Sequence, residues 1–148
     1  MNTTYSIAPL ASDKDIDKAI GSIIPIENPI TAPITVGKPL NAVNKTIAEM
    51  KANGDYEKLV AAYMPVDGKI VVPAIAAVAS SKVIKLGTNA AFPPFEYVEG
   101  KDIVGFDISM GQKIAKTADM KLEVVDMAFD SLIPALQAGT IDFIAAGM

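Results

Sequence analysis

Proton transfer and metal binding near neutral pH fall most often to His and Cys, and this chain contains neither. Thiolate nucleophiles, disulfides and sites built on Cys or His are therefore out of reach. Carboxylates remain, and those standing closest to predicted strand ends are Glu96, Asp126, Asp130 and Asp142. Asp130 reads as a helix cap, Asp142 falls early in a strand, and Glu96 lies beyond Pro93-Pro94. The acidic residues follow no metal-loop spacing. The segment "GTNAAF" (87–92) lacks both the G-x-G-x-x-G spacing and the Walker lysine of phosphate cradles. These residues assign no catalytic group, no metal and no cofactor.

Binding chemistry is better represented. "GTNAAFPPFEY" (87–97) follows an apolar run with small residues, two prolines and three aromatics. Phe129 follows a second apolar run, and Ala146 and Gly147 follow a third. Asn89, Phe92, Phe129, Ala146 and Gly147 combine aromatic walls, one amide and main chain that can be approached closely, which is the make-up of a small-ligand pocket. Taken singly, Phe92 and Phe129 also fit a core, Asn89 a turn and Gly147 a strand end. Their coincidence at three strand ends favours a site.

The elements that must position them follow from periodicity. Residues 82–87, "KVIKLG", read as a strand. Residues 105–119 read as a helix with Ile108, Gly111, Ile114, Ala115 and Ala118 on one face and Asp107 as N-cap. Residues 121–126 form a second strand. Residues 130–139 form a short helix with Asp130 as N-cap and Gly139 closing it, and residues 140–148 form a third strand. This β-α-β-α-β order predicts parallel strands with right-handed crossovers, whose carboxyl ends share one rim. Further upstream, Val43, Ile47 and Met50 mark one helix, broken at Asn53-Gly54, and Leu59, Val60 and Tyr63 mark a second. Residues 65–81 read as a turn and an apolar connector. Residues 20–39 carry four prolines, which favours extended segments.

With 148 residues, 51% hydrophobic and 20% charged, the chain can build one sizeable core. Its net charge of −4 argues against nucleic acid or an anionic membrane as the main partner. A small neutral or zwitterionic ligand fits better. No basic segment followed by an apolar run opens the chain, so no signal peptide is read. The most apolar stretch, "IVVPAIAAVAS", is about half the roughly 20 residues of a membrane span.

Residues 83–148 resemble, end to end, the first lobe of the bacterial extracellular solute-binding proteins, family 3, the amino-acid receptors of ABC importers. "FPPFEY", "IVGFDI" and "FDSLIPALQAGTIDFIAAGM" carry the resemblance. It implies a three-layer, flavodoxin-like α/β lobe of a two-lobed receptor that closes on an amino acid, working in the periplasm or outside the cell with an ABC permease. It also implies that Phe92 and Phe129 pack on the ligand side chain, that Asn89 lines the cleft, and that the backbone at Ala146 and Gly147 bonds the ligand's amino-acid end. Many relatives have Asp where this chain has Asn89, so charge pairing with an ammonium is not assumed.

Residues 40–64 resemble the end of the same family's chain, although here they come first. One circularly permuted lobe covering residues 1–148 accounts for this order, with 1–64 equivalent to the family's C-terminal part, 65–82 a connector and 83–148 the N-terminal part. The connector could span roughly 60 Å at about 3.3 Å per residue. A fragment of two fused receptors is the alternative. The returning strand falls within residues 1–39, either "YSIAPLASDKDIDKAI" or "APITVGKP". Half a cleft implies weak binding or none, and a rim exposing Phe92, Phe95, Tyr97 and Phe129 implies a homo-oligomer. The rival readings are an enzyme on the same scaffold, dehydratase-like, with Asp126 as nearest carboxylate, and a ligand-free oligomerisation module.

Overall fold

Aliphatic and β-branched residues at 83–88 and 121–126 pair as two parallel strands in the computed structural model, which describes residues 37–147. In chain order the elements are helix α1 (Gly37–Asn53), helix α2 (Asp55–Tyr63), strands β1 (Val83–Thr88), β2 (Ala91–Phe92), β3 (Glu96–Glu99) and β4 (Asp102–Val104), helix α3 (Phe106–Ala118), strand β5 (Lys121–Asp126), a 3-10 turn (Phe129–Ser131), helix α4 (Leu132–Gln137) and strand β6 (Phe143–Ile144). The parallel sheet has the order β5-β1-β6. Thr88 lies opposite Asp126, and Gly87 opposite Ile144, so the three carboxyl ends are level.

Two apolar clusters lie on opposite faces of this sheet. Ile84, Leu86 and Phe143 pack with Val43 and Ile47 of α1, Leu59 and Tyr63 of α2, and Ile108 and Ile114 of α3. Ile144 and Ala146 pack with Leu132 and Ile141 on the other face. Alternation of Phe143 and Ile144 between the clusters is the two-residue period of a strand. Helices on both faces of a parallel sheet give the three-layer α/β architecture expected. Gly111 earns its place on the α3 face, because a Cβ there would stand 2.8 Å from the Leu86 side chain.

The N-terminal helices and their break occur as expected, with Gly54 in the left-handed region at φ 78° and Asn53 Oδ1 accepting from the Asp55 N–H at 2.9 Å. Residues 65–81 form no regular element, and Val66 and Val71 are exposed. Of residues 1–39, for which extended segments and the returning strand are expected, residues 37–39 open helix α1 instead, and the rest lies outside the described residues.

Four expectations are corrected. Asp107 does not cap α3: Gly105 holds the cap position, and Asp107 is buried inside the first turn. Asp130 sits exposed in the 3-10 turn and makes no cap bond, while α4 opens after Ser131 without a side-chain cap. The third strand is two residues long, not nine; Asp142 turns back on β1 instead, its N–H bonding Lys85 O and its Oδ2 accepting from Lys85 N. Finally, residues 91–104 are not a plain loop. They form an antiparallel meander, β2-β3-β4, with Ala91 opposite Tyr97 and Tyr97 opposite Val104.

Candidate functional site at the strand ends

The loops after β1, β5 and β6 are tied to one another at the rim. Asn89 Nδ2 donates to Met127 O at 3.0 Å, the Ala90 N–H to Asp126 Oδ1 at 2.8 Å, and the Met127 N–H to Thr88 O at 3.0 Å. Buried Thr88 donates its hydroxyl to Ala145 O at 2.9 Å. Asn89 therefore acts as a brace between the first and second loops. Asn89→Ala is expected to cost about 1 kcal/mol, the usual worth of one such bond, read as a lower urea midpoint with an unchanged slope.

Phe92 lies against the third loop: a Cβ on Gly147 would fall 2.8 Å from its Cδ1. It also stacks on Phe95, with centroids 6.2 Å apart and planes at 28°. Phe95 itself is buried and meets Phe106 edge-on, so it belongs to the core and not to the exposed rim expected of it. Phe92 and Tyr97 are half-buried, and Phe129 is 43% exposed. Of the five candidates, Asn89, Phe92 and Gly147 are drawn together by direct contacts with neighbouring loops. Phe129 stands out into solvent from the second loop, and the Ala146 side chain is buried below the rim beside Leu132. Ala146 can contribute main chain only.

Glu96, set aside on sequence because it follows the prolines, is brought back to the rim by the meander. It is buried, and its Oε1 accepts the Gly147 N–H at 2.7 Å. Burial pushes the Glu96 carboxyl up to about 7, partly offset by the bonds from Gly147 and Asp107. Burial also pushes Asp107 well above the usual carboxylate range, and the neighbouring Glu96 charge adds to it. Its sequence signal was the alternation in "EYVEGKDIV", two short strands about a Gly100 turn.

Two further carboxylates considered for catalysis have structural partners. Asp126 caps the loop at Ala90 and Asp142 binds Lys85. Among the described residues no group of three metal-ligating side chains converges. No helix among them is long and apolar enough to cross a membrane.

Comparison with known proteins bears on the same residues. Residues 84–148 match the profile of the bacterial extracellular solute-binding proteins, family 3. The arginine-binding extracellular protein ArtP of Bacillus subtilis is 46% identical over 67 residues, which is 45% of this chain and 26% of that protein. The putative ABC transporter arginine-binding protein 2 of Escherichia coli is 37% identical over 70 residues, 47% of this chain and 29% of that protein. A probable histidine-binding protein of Campylobacter jejuni is 38% identical over 65 residues, 44% and 25% of the two chains. Among solved structures, the arginine-bound form of domain 1 from TmArgBP is 43% identical, covering 51% of this chain and 60% of that one, with a TM-score of 0.45. The chain spans about a quarter of the length of these curated family relatives.

Proposed function

We propose that the rim formed by Asn89, Phe92, Phe129 and the main chain at Ala146 and Gly147 is one wall of an amino-acid site, and that its ligand is a cationic amino acid, arginine first. The observation that carries this is the convergence of the three strand ends, with Phe92 seated on Gly147 and Asn89 tied to the Phe129 loop. The relatives' names, arginine-binding, histidine-binding and lysine/arginine/ornithine-binding, supply the ligand class. The chemistry agrees with it. Phe92 and Phe129 offer faces to a flat guanidinium, a contact worth about 0.5–2 kcal/mol. Because the Gly147 N–H is engaged by Glu96, Gly147 is left with its carbonyl, an acceptor suited to an ammonium. The parent activity is solute capture for an ABC importer outside the cytoplasm, without catalysis.

We further read residues 37–64 and 83–147 as parts of one permuted lobe, since α1 and α2 share the buried cluster of β1 and α3. Contacts from one wall alone should hold arginine only at about millimolar Kd, roughly 4 kcal/mol. An amide NMR titration against a panel of amino acids tests the reading. Arginine is expected to shift Asn89, Phe92, Phe129 and Gly147, acidic amino acids are not, and Phe129→Ala should weaken arginine about 3-fold or more. Millimolar arginine that moves none of these amides would overturn it.

A further inference from the structure

The Glu96–Asp107 pair lies outside the set of residues proposed for ligand contact, and it is buried beside the rim residue Gly147. Backbone geometry forces the two carboxyls together. Gly105, with φ 140° and no Cβ, lets α3 begin against the β3 backbone, where Phe106 N–H bonds Pro94 O at 3.0 Å and Asp107 N–H bonds Phe95 O at 2.9 Å. Asp107 is thereby fixed one residue along from Phe95 and beside Glu96, with both residues no more than 2% exposed. Glu96 Oε1 takes the Gly147 N–H, while Glu96 Oε2 and Asp107 Oδ1 are buried without any N–H or hydroxyl donor among the described residues.

Carboxylates only accept, so two of them can bond each other only through a proton. We propose that Glu96 and Asp107 hold one proton between them, and that this proton, by fixing Glu96, sets the position of the Gly147 N–H at the rim and makes the rim sensitive to pH. Other charged and titratable groups on the packed elements do not supply an alternative. Tyr63 on α2 is engaged by Ser109, Glu99 and Tyr97 on β3 act on Tyr63, Asp102 lies opposite Glu99 at the far end of the hairpin, and Lys113 on α3 pairs with Asp55. Among the described residues, Asp107 and the Gly147 N–H are the groups that act on Glu96, and no lysine acts on either carboxyl.

The direction of the pH effect follows from the raised carboxyl. The folded chain keeps a proton that an unfolded Glu releases near 4.5, so stability is fullest below that pH and declines until the folded group titrates at about 7. Above about 7 Glu96 is charged while Asp107, held well above the usual carboxylate range by burial and by that charge, keeps the shared proton, so the change at the rim is a buried negative charge on the group that holds Gly147.

The test is a pH titration of the free chain, independent of any ligand, by NMR of the side-chain carboxyl carbons and backbone amides. Glu96 and the Gly147 amide are expected to move with one common midpoint near 7, and the melting temperature to fall between about pH 4.5 and 7. Glu96→Gln can still accept from Gly147 and donate to Asp107, so its Gly147 amide should show no midpoint near 7. Asp107→Asn, in which the amide donates in place of the shared proton, should leave the Glu96 midpoint near 7, whereas Asp107→Ala, which removes the donor, should raise it; a midpoint indifferent to Asp107→Ala would also overturn the proposal. Wild-type Glu96 titrating near 4.5, or a Gly147 amide indifferent to it, would overturn the proposal even if neither variant folded.

Discussion

Gly105→Ala is expected to be the most damaging single-methyl change among the described residues, costing about 2–6 kcal/mol. Two effects add. At φ 140° and ψ 173° the backbone occupies a region that L side chains rarely enter, worth about 1–3 kcal/mol. The new Cβ would also fall inside the Phe95 carbonyl group and 2.8 Å from Glu96 N, and these are backbone atoms at the entry to paired strand β3, which cannot swing aside as a side chain can. Forced overpacking of that kind adds about 1–3 kcal/mol. Gly100→Ala is the matched control. It also sits at positive φ, 65°, but nothing lies within 4 Å of the added methyl, so only the conformational part remains, about 1 kcal/mol. Urea unfolding of both variants measures the difference. Equal losses would show that the close approach of α3 to β3 is not what Gly105 provides, and would remove the stated reason for the meeting of Glu96 and Asp107.

Long periodic segments could be read from the sequence because burial there repeats at the period of the element. Ile108, Gly111, Ile114 and Ala115 on α3 and Val43, Ile47 and Met50 on α1 each face one layer, so the pattern survives without knowledge of the partner. Strand ends could be placed for the same reason, and with them Asn89, Phe92 and Gly147. The meander could not, since strands of two to four residues contain too few alternations to outweigh a Pro-Pro turn. Missing it hid Glu96, whose position depends on the chain reversing twice after Phe92. The caps failed for a related reason: a carboxylate near a helix start is ambiguous between satisfying N–H groups and facing inward, and at Asp107 the second won because Phe95 and Pro94 already take the first N–H groups of α3.

Rim and core are coupled through that same meander. Phe92 stacks on Phe95, Phe95 meets Phe106, and Phe106 meets both tyrosines of α2. A ligand that orders Phe92 therefore presses on an aromatic series reaching the N-terminal helices. Strain at that series should be felt at the rim in turn, because packed interiors rearrange as units and do not deform smoothly.

Phe106→Ala carries the second large expected effect, about 3–5 kcal/mol. The ring is 1% exposed and makes edge-on contacts with Tyr56 at 6.0 Å, Tyr63 at 6.4 Å and Phe95 at 6.4 Å between centroids. Removing it opens a cavity between α2, α3 and the meander and forfeits three aromatic contacts, each worth about 0.5–1.5 kcal/mol beyond area. Because those partners come from both sides of the 65–81 connector, the variant also decides whether residues 37–64 and 83–147 fold as one unit. Hydrogen exchange at Ile47 in α1 and Leu86 in β1 should accelerate together and by the same factor, as one cooperative core requires. Loss of protection at Ile47 with Leu86 unchanged would mean that the two helices merely dock on an independent sheet, and the single-lobe reading would fall.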